Sequence, residues 1–324
     1  MHRFSKFRNQ DSTLKNIHNK SDFLLFLIDK LCNQKLLKFA EKYDIENKTH
    51  TFKTLKHEQI LNANVVGSTC SNATANNLSE IKFDTLIVDE STQAKDVEVL
   101  IPIVNGIKKI VLIGDQKQLG PMIRSKAAKN AGFGTSLFER FISAGVCIKF
   151  LNIQYRMHPL IVKFPNAEFY KGLLLNGVSE LQRTDERTRM IFEKPVIFEN
   201  VNCGEEELSE NGLSYLNQTE SKLIVQYVKK LLNADVDAKE IGVISPYEGQ
   251  KKLLSKKLEI YNVQVANIDG FQGTEKNYIL MSCVRSNRHQ DIGFLEDENR
   301  LNVALTRAKY GLVIVGNCFA YLLV

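Results

Sequence analysis

The residues of this chain best able to do chemistry lie at the ends of short apolar runs. TLIVDESTQA (85–94) closes one run with Asp89 and Glu90 side by side. A carboxylate there can hold Mg²⁺, usually through water, while its neighbour orients an attacking water. GDQKQLGP (114–121) follows a second run, and its Gln118 is placed to bond a phosphate oxygen or that same water. QYRMHP (154–159) brings Arg156, a cation for phosphate charge, and Tyr155, a face on which adenine can stack. NIDGFQGTEKNYIL (267–280) sets Gly270 and Gly273 in a loop where backbone can approach phosphate or ribose, with Glu275 as an acceptor for ribose hydroxyls. LNVALTRAKYGLVIVGN (301–317) adds Arg307 on a helix before a further run. Each stretch alone has a plainer explanation, since turns favour acids and helix faces carry solvated arginines. His158 has no second histidine nearby and reads as structural.

The elements that must position these residues are strands. The β-branched runs are 64–68, 85–90, 108–115, 147–151, 195–200, 241–247, 263–269, 277–286 and 311–317, separated by helical stretches. Continuous apolar strands alternating with helices predict an α/β fold with parallel sheets covered on both faces. Polar residues such as Asp89, Asp115, Ser245, Arg285 and Asn317 fall at the carboxyl ends of the runs, where open α/β sheets bind ligands. Before the first run, the spacing predicts a helix over 21–43, capped by Ser21, and a weaker one over 51–62. The polar segment 177–194 reads as a loop.

With 324 residues the chain has room for two domains. Its 44% apolar and 25% charged content is that of a soluble globular protein, and no apolar run is long enough to span a bilayer. The basic N-terminus has no apolar segment of the secretory kind. Six dispersed cysteines, with no CxxC and no Cys/His cluster, argue against a zinc site or a disulfide framework and fit a reducing cytosol. Residues 1–60 hold twelve Lys/Arg and seven Asp/Glu, so five of the net +6 charges lie there. That excess favours a polyanionic partner only slightly.

DESTQA, GDQKQLGP, QYRMHP, SPYEGQ, IDGFQGTEK and NVALTRAKYGLVIVGN, in this order, resemble motifs II, III, IV, IVa, V and VI of superfamily 1 helicases. More narrowly they resemble the up-frameshift RNA helicase family of nonsense-mediated mRNA decay, supported by NVVGSTCSNA, SLFER, SYLNQTE and SCVRSNRHQDIGFL. The resemblance covers about residues 60–317. It implies two RecA-like parallel-sheet domains, the first incomplete: a helical insertion over 1–62, a partial first domain over 63–148 and a second domain over 149–324. It implies ATP and Mg²⁺ as cofactors, with Asp89 holding the metal, Glu90 as general base, Gln118 sensing the γ-phosphate, and Arg156 and Arg307 as fingers. Tyr155 and Gly273 would flank the nucleotide and Glu275 would bind ribose. Thr69, Pro246, Tyr247 and Gln272 match positions that line a single-strand channel. The implied partners are single-stranded RNA, with DNA as the alternative the motifs leave open, and decay factors, in the cytoplasm and without a membrane.

No GxxxxGK[ST] phosphate loop occurs among the 324 residues. Its amides and lysine would have to come from an upstream segment or a second chain. The expectation is then a piece of an ATP-dependent RNA helicase, with a first domain (1–148) weaker than the second. Two alternatives stay open: a non-hydrolysing remnant that binds RNA or protein, and a truncated product that does not fold alone.

Overall fold

The computed structural model describes residues 57–318, apart from 75–77, 80, 105 and 288–290. The helix expected over 21–43 lies outside the described residues. Of the one expected over 51–62, residues 57–61 are described and helical. The described residues fall into two compact units, one taking those up to Leu86 with Leu100–Lys109, the other taking Ile87–Val99 and those from Ile110 onward.

Strands β1 (Thr85–Val88) and β2 (Lys109–Leu112) form a two-stranded sheet. Its hydrogen bonds climb in the same direction on both strands, from Lys109 N to Asp84 O (3.0 Å) and from Ile113 N to Val88 O (2.8 Å). Helix α1 (Asp96–Ile103) follows β1 and buries Val99 completely. The pair keeps Val88 buried but leaves Ile87 63% exposed, with Val111 and Ile113 also open.

The second unit is built on a five-stranded parallel sheet. Its order is β5 (Val196–Asn200), β11 (Ala308–Gly316), β10 (Lys276–Ser282), β8 (Ile241–Ile244) and β9 (Gln264–Ala266). Successive side chains on a strand point to opposite faces. Ile279, Met281 and Leu312 therefore enter one core with Ile161 and Val162 of α3 (Pro159–Tyr170) and Val303 of α6 (Glu298–Leu305). Tyr278, Leu280, Val313 and Val315 enter the other, against Ile224, Val228 and Leu231 of α4 (Gln218–Asn233) and Leu254 of α5 (Glu248–Leu258). Burial on both faces is the physical reason the middles of these strands are continuous apolar runs, and the α/β expectation is borne out. At Gly242 a side chain is excluded, because a Cβ would lie 2.7 Å from the Phe271 ring.

Two expected strands are absent. Residues 64–68 and 147–151 have no strand conformation, and Val65, Phe150 and Leu151 are exposed. A short apolar run becomes a strand only where a neighbour takes its hydrogen bonds and a core takes its side chains. After 147–151, pairing starts at β3 (Ile153–Gln154) against β4 (Leu175–Asn176). A short hairpin of β6 (Glu207–Leu208) and β7 (Tyr215–Leu216) completes the strands, and a helix of seven residues, α2 (Leu137–Ser143), is closed by a Ser136–Glu139 capping box. Among the described residues no helix is long and apolar enough to cross a membrane.

Candidate functional site

The turn after β1 is backbone-strained. Glu90 has φ +50°, left-handed for a non-glycine residue, a conformation that clusters at functional sites. Its N–H donates to Asp89 Oδ1 (2.9 Å), and its Oε2 accepts from Gln93 Nε2 (2.9 Å). Ser91 fastens the turn to the end of β2 with two bonds to Ile113 O, from N and from Oγ, both 2.8 Å. The next residue of that strand end, Gly114, lies so close that a Cβ would meet Thr92 Cγ2 at 2.9 Å. Only glycine lets the two strand ends meet this way.

Past Gly114, Asp115 organises the second turn. Its Oδ1 accepts from Lys117 N (2.9 Å), and its Oδ2 accepts from Gln118 Nε2 (2.9 Å) and Tyr170 Oη (2.6 Å). Asn302 Nδ2 in turn donates to Tyr170 Oη (2.9 Å) and Lys117 O (2.7 Å). An ionised carboxylate only accepts, so Asp115 fixes which end of the Gln118 amide faces it. The carbonyl end is left facing Arg307 Nη2 at 3.3 Å. Burial and then the Asp115 charge push the Tyr170 phenol well above its ordinary range, so it stays a donor.

Arg307 sits between α6 and β11 and is 2% exposed. It donates to Val303 O, Thr306 Oγ1 and Gln118 Oε1, and among the described residues no carboxylate pairs with it. Burial, then the neighbouring Arg156 charge, depress its pKa to about 10, while Tyr170, Glu90 and Asp115 pull the other way. Arg156 donates Nε to Glu275 Oε2 (2.7 Å) and Nη1 to Thr306 O (3.0 Å). Lys309 Nζ holds the other oxygen of Glu275 at 2.6 Å. Burial raises the Glu275 carboxyl, but these two cations outweigh it and hold it below its usual range.

Five residues singled out for nucleotide chemistry thus gather near one another: Glu90, Gln118, Arg156, Glu275 and Arg307, with Asp89 beside Glu90. Tyr155 is 63% exposed on one face, while its other side covers Gly177 with no room for a Cβ. Gly273 has φ +70° with open space around it. His158 is buried and accepts from Leu160 N at the start of α3, a structural place as expected. Of the channel positions, Thr69 is exposed before a 3₁₀ turn and Pro246 is half-buried. Tyr247 is 3% exposed, its ring against Tyr215 and Phe294. Gln272 Nε2 is buried and unpartnered among the described residues.

Three contributors escaped the sequence. Tyr170 is not singled out there at all, and Asn302 passes as a helix residue although it opens the NVALTR stretch. Arg183, in the segment read only as loop, donates to the carbonyls of Arg156 (2.6 Å) and Tyr155 (2.5 Å) and so holds that turn.

Among the described residues no group of three or more His, Cys, Asp or Glu is placed to hold a metal ion. Asp89 keeps Oδ2 out of hydrogen bonds among those residues. That donor set fits Mg²⁺ arriving on phosphates, which takes one or two carboxylates, and not a protein-only cage.

Fold and site together define a parallel α/β protein whose charged side chains gather at the carboxyl ends of strands. The chain belongs to the AAA domain family, with two AAA domain models matching residues 8–126 and 133–319. It is 47% identical over 268 residues to a regulator of nonsense transcripts 1 homolog of Arabidopsis thaliana, covering 79% of this chain and 21% of that protein. It is 47% identical over 272 residues to the ATP-dependent helicase NAM7 of Saccharomyces cerevisiae (80% and 28%). It is 42% identical over 267 residues to the ATP-dependent helicase upf1 of Schizosaccharomyces pombe (79% and 29%). These relatives bear out the up-frameshift resemblance read from the motifs, and the chain spans only a fifth to three-tenths of their length. Among solved structures it is similar to an arterivirus nonstructural protein 10 (helicase), at TM-score 0.36 and 14% identity, covering 81% of this chain and 56% of that one.

Proposed function

We propose that this chain carries the portion after the phosphate loop of an ATP-dependent RNA helicase acting in nonsense-mediated mRNA decay, in the cytoplasm. The observation that carries the reading is Arg307. A buried guanidinium with no carboxylate partner is costly unless an anion arrives to compensate it. Arg156 beside it adds a second positive charge, and Gln118 aims an amide at the same place.

In this reading Arg307 and Arg156 bind the charge that builds on the transferred phosphoryl group. Arg156 must first let go of Glu275, which is thereby freed to accept from ribose hydroxyls. Glu90 takes the proton of the attacking water, and Gln118 orients that water. Asp89 would hold Mg²⁺, which supplies neutralisation of phosphate charge. Tyr155 offers its exposed face to adenine, and Gly273 lets backbone approach the nucleotide. Thr69, Pro246, Tyr247 and Gln272 belong to the single-strand grip, with RNA preferred over DNA by the relatives' names. The phosphate loop is supplied by a further segment or a second chain.

The test uses the endogenous product, captured with an antibody against residues 200–324, and its RNA-stimulated ATP hydrolysis. R307A should lower the rate by about 10³-fold or more. Hydrolysis at the wild-type rate overturns the reading. RNA binding with no ATP dependence and no hydrolysis would favour a non-hydrolysing module, the reading that the missing GxxxxGK[ST] pattern supports.

A further inference from the structure

At the end of β10 the chain makes a turn that its sequence does not favour. Val284 has φ +73° and is fully buried. A β-branched residue in the left-handed region is strained, and such a conformation persists only when its surroundings over-determine it. Here both peptide groups of Val284 are held by side chains. Its N–H donates to Glu220 Oε2 (2.8 Å), and its carbonyl accepts from Asn217 Nδ2 (3.3 Å).

These two residues start helix α4. Asn217 is its N-cap, with Oδ1 accepting from Glu220 N (3.0 Å), and Glu220 lies in its first turn. Glu220 Oε2 also accepts from Ser282 Oγ (2.7 Å). Gln250 of α5 ties the group together, donating to Ser282 Oγ (2.8 Å) and Asn217 O (3.1 Å) and accepting from Asn217 N (2.9 Å). Asn217, Glu220, Gln250 and Ser282 are all fully buried. Glu220 carries no ion pair among the described residues, and its Oε1 has no hydrogen-bond partner there.

A carboxylic acid buried without a counter-ion does not improve stability over an apolar side chain. What it gains here is the course of the chain beyond Val284. Arg285 turns into a seat between Glu206 (2.9 Å) and Asp291 (2.7 Å), with its guanidinium 4.6 Å from the Tyr215 ring centre and 3.4 Å from Tyr247 Oη. We propose that Glu220 and Asn217 are positioning residues, a clamp that holds Val284 left-handed and so seats Arg285 and Tyr247 at the carboxyl edge of the sheet. The link to an RNA grip rests on the function proposed above; the clamp itself does not.

The experiment is a double-mutant cycle on the full chain, read by hydrogen exchange of the 284–287 amides and by fluorescence anisotropy with a single-stranded oligouridylate. E220A should speed exchange of those amides by about tenfold or more, and E220Q, which keeps an acceptor, by about threefold or less. V284G removes the strain, because glycine adopts positive φ freely. In the V284G background, E220A should therefore change exchange and RNA affinity by about threefold or less. Equal effects of E220A in both backgrounds, or none in either, overturn the clamp. If E220A does not fold, N217S makes the same comparison, keeping a cap oxygen for Glu220 N while removing the bond to Val284 O. If the wild-type chain fails to bind the oligouridylate, the RNA reading of the site falls, while the exchange data still decide the clamp.

Discussion

Gln118 Oε1 accepts a hydrogen bond from Arg307 Nη2 at 3.3 Å, and the pair spans 189 positions in sequence. The bond has one orientation only because Asp115 claims the amide NH₂ of Gln118. Asp115 is in turn held by Tyr170 and, through it, by Asn302. A buried cation with no carboxylate partner among the described residues and an amide with a forced carbonyl direction thus face each other before any ligand arrives. Such preorganisation is what electrostatic stabilisation of a transition state requires.

That chain of bonds is testable at Tyr170. Y170F deletes the hydroxyl and leaves Asp115 and Asn302 each without one bond. Hydrogen bonds to charged groups contribute about 1.5–3 kcal/mol. We expect Y170F to lower unfolding free energy by about 1–3 kcal/mol in urea titrations, with D115N/Y170F less destabilised than the sum of the singles. Additive losses would show that Tyr170 and Asp115 act separately.

The buried carboxyl at Glu220 makes stability depend on pH. Burial raises its pKa to about 7, with the bonds from Ser282 and Val284 opposing the rise. Unfolded, the group titrates near 4.5. Between these values the folded state binds more protons, so its contribution is fully present below 4.5 and is lost as pH rises through about 7. The effect is on the order of 3 kcal/mol at most. E220Q should flatten this loss, so the difference in unfolding free energy between wild type and E220Q should drift by that order between pH 4.5 and 8. A difference constant with pH would mean that Glu220 does not titrate in that window.

How far the sequence reaches differs between the two sheets. β8, β10 and β11 were legible because burial on both faces demands apolar residues along their central stretches, and so were the strand-end acids and arginines. The run at 147–151 has the same composition but no partner strand and no core, and composition alone cannot report that. The contribution of Tyr170 was invisible for a similar reason. A tyrosine at the end of an amphipathic helix carries no mark of the distant aspartate it will bond.

The β1–β2 pair should be the weaker part of the chain. Ile87, Val111 and Ile113 are exposed there, whereas Val243, Ile279 and Leu280 of the larger sheet have no exposure. Each aliphatic side chain left uncovered forgoes about 1.5–3 kcal/mol. We expect circular dichroism melts of the chain to show two transitions, the first losing the segment that holds β1 and β2. One cooperative transition, with equal calorimetric and van't Hoff enthalpies, would refute this.

Arg307 sets function against stability. Its guanidinium is buried beside Arg156, and burial and then that neighbouring charge lower its pKa to about 10, so both disfavour the charged form in the folded state. Methionine is shorter but of like volume, and it has no charge to desolvate. Replacing buried charge by an apolar side chain of like volume is often neutral or stabilising by about 1–4 kcal/mol. R307M gives up the bonds to Val303 O, Thr306 Oγ1 and Gln118 Oε1, so the expected gain lies at the low end, about 0–2 kcal/mol. Pyrophosphate should raise the melting temperature of the wild-type chain and leave that of R307M unchanged, because a ligand stabilises only the state that binds it. A large loss of stability in R307M, together with an unaltered response to pyrophosphate, would make Arg307 a structural residue and remove the main support for a nucleotide site.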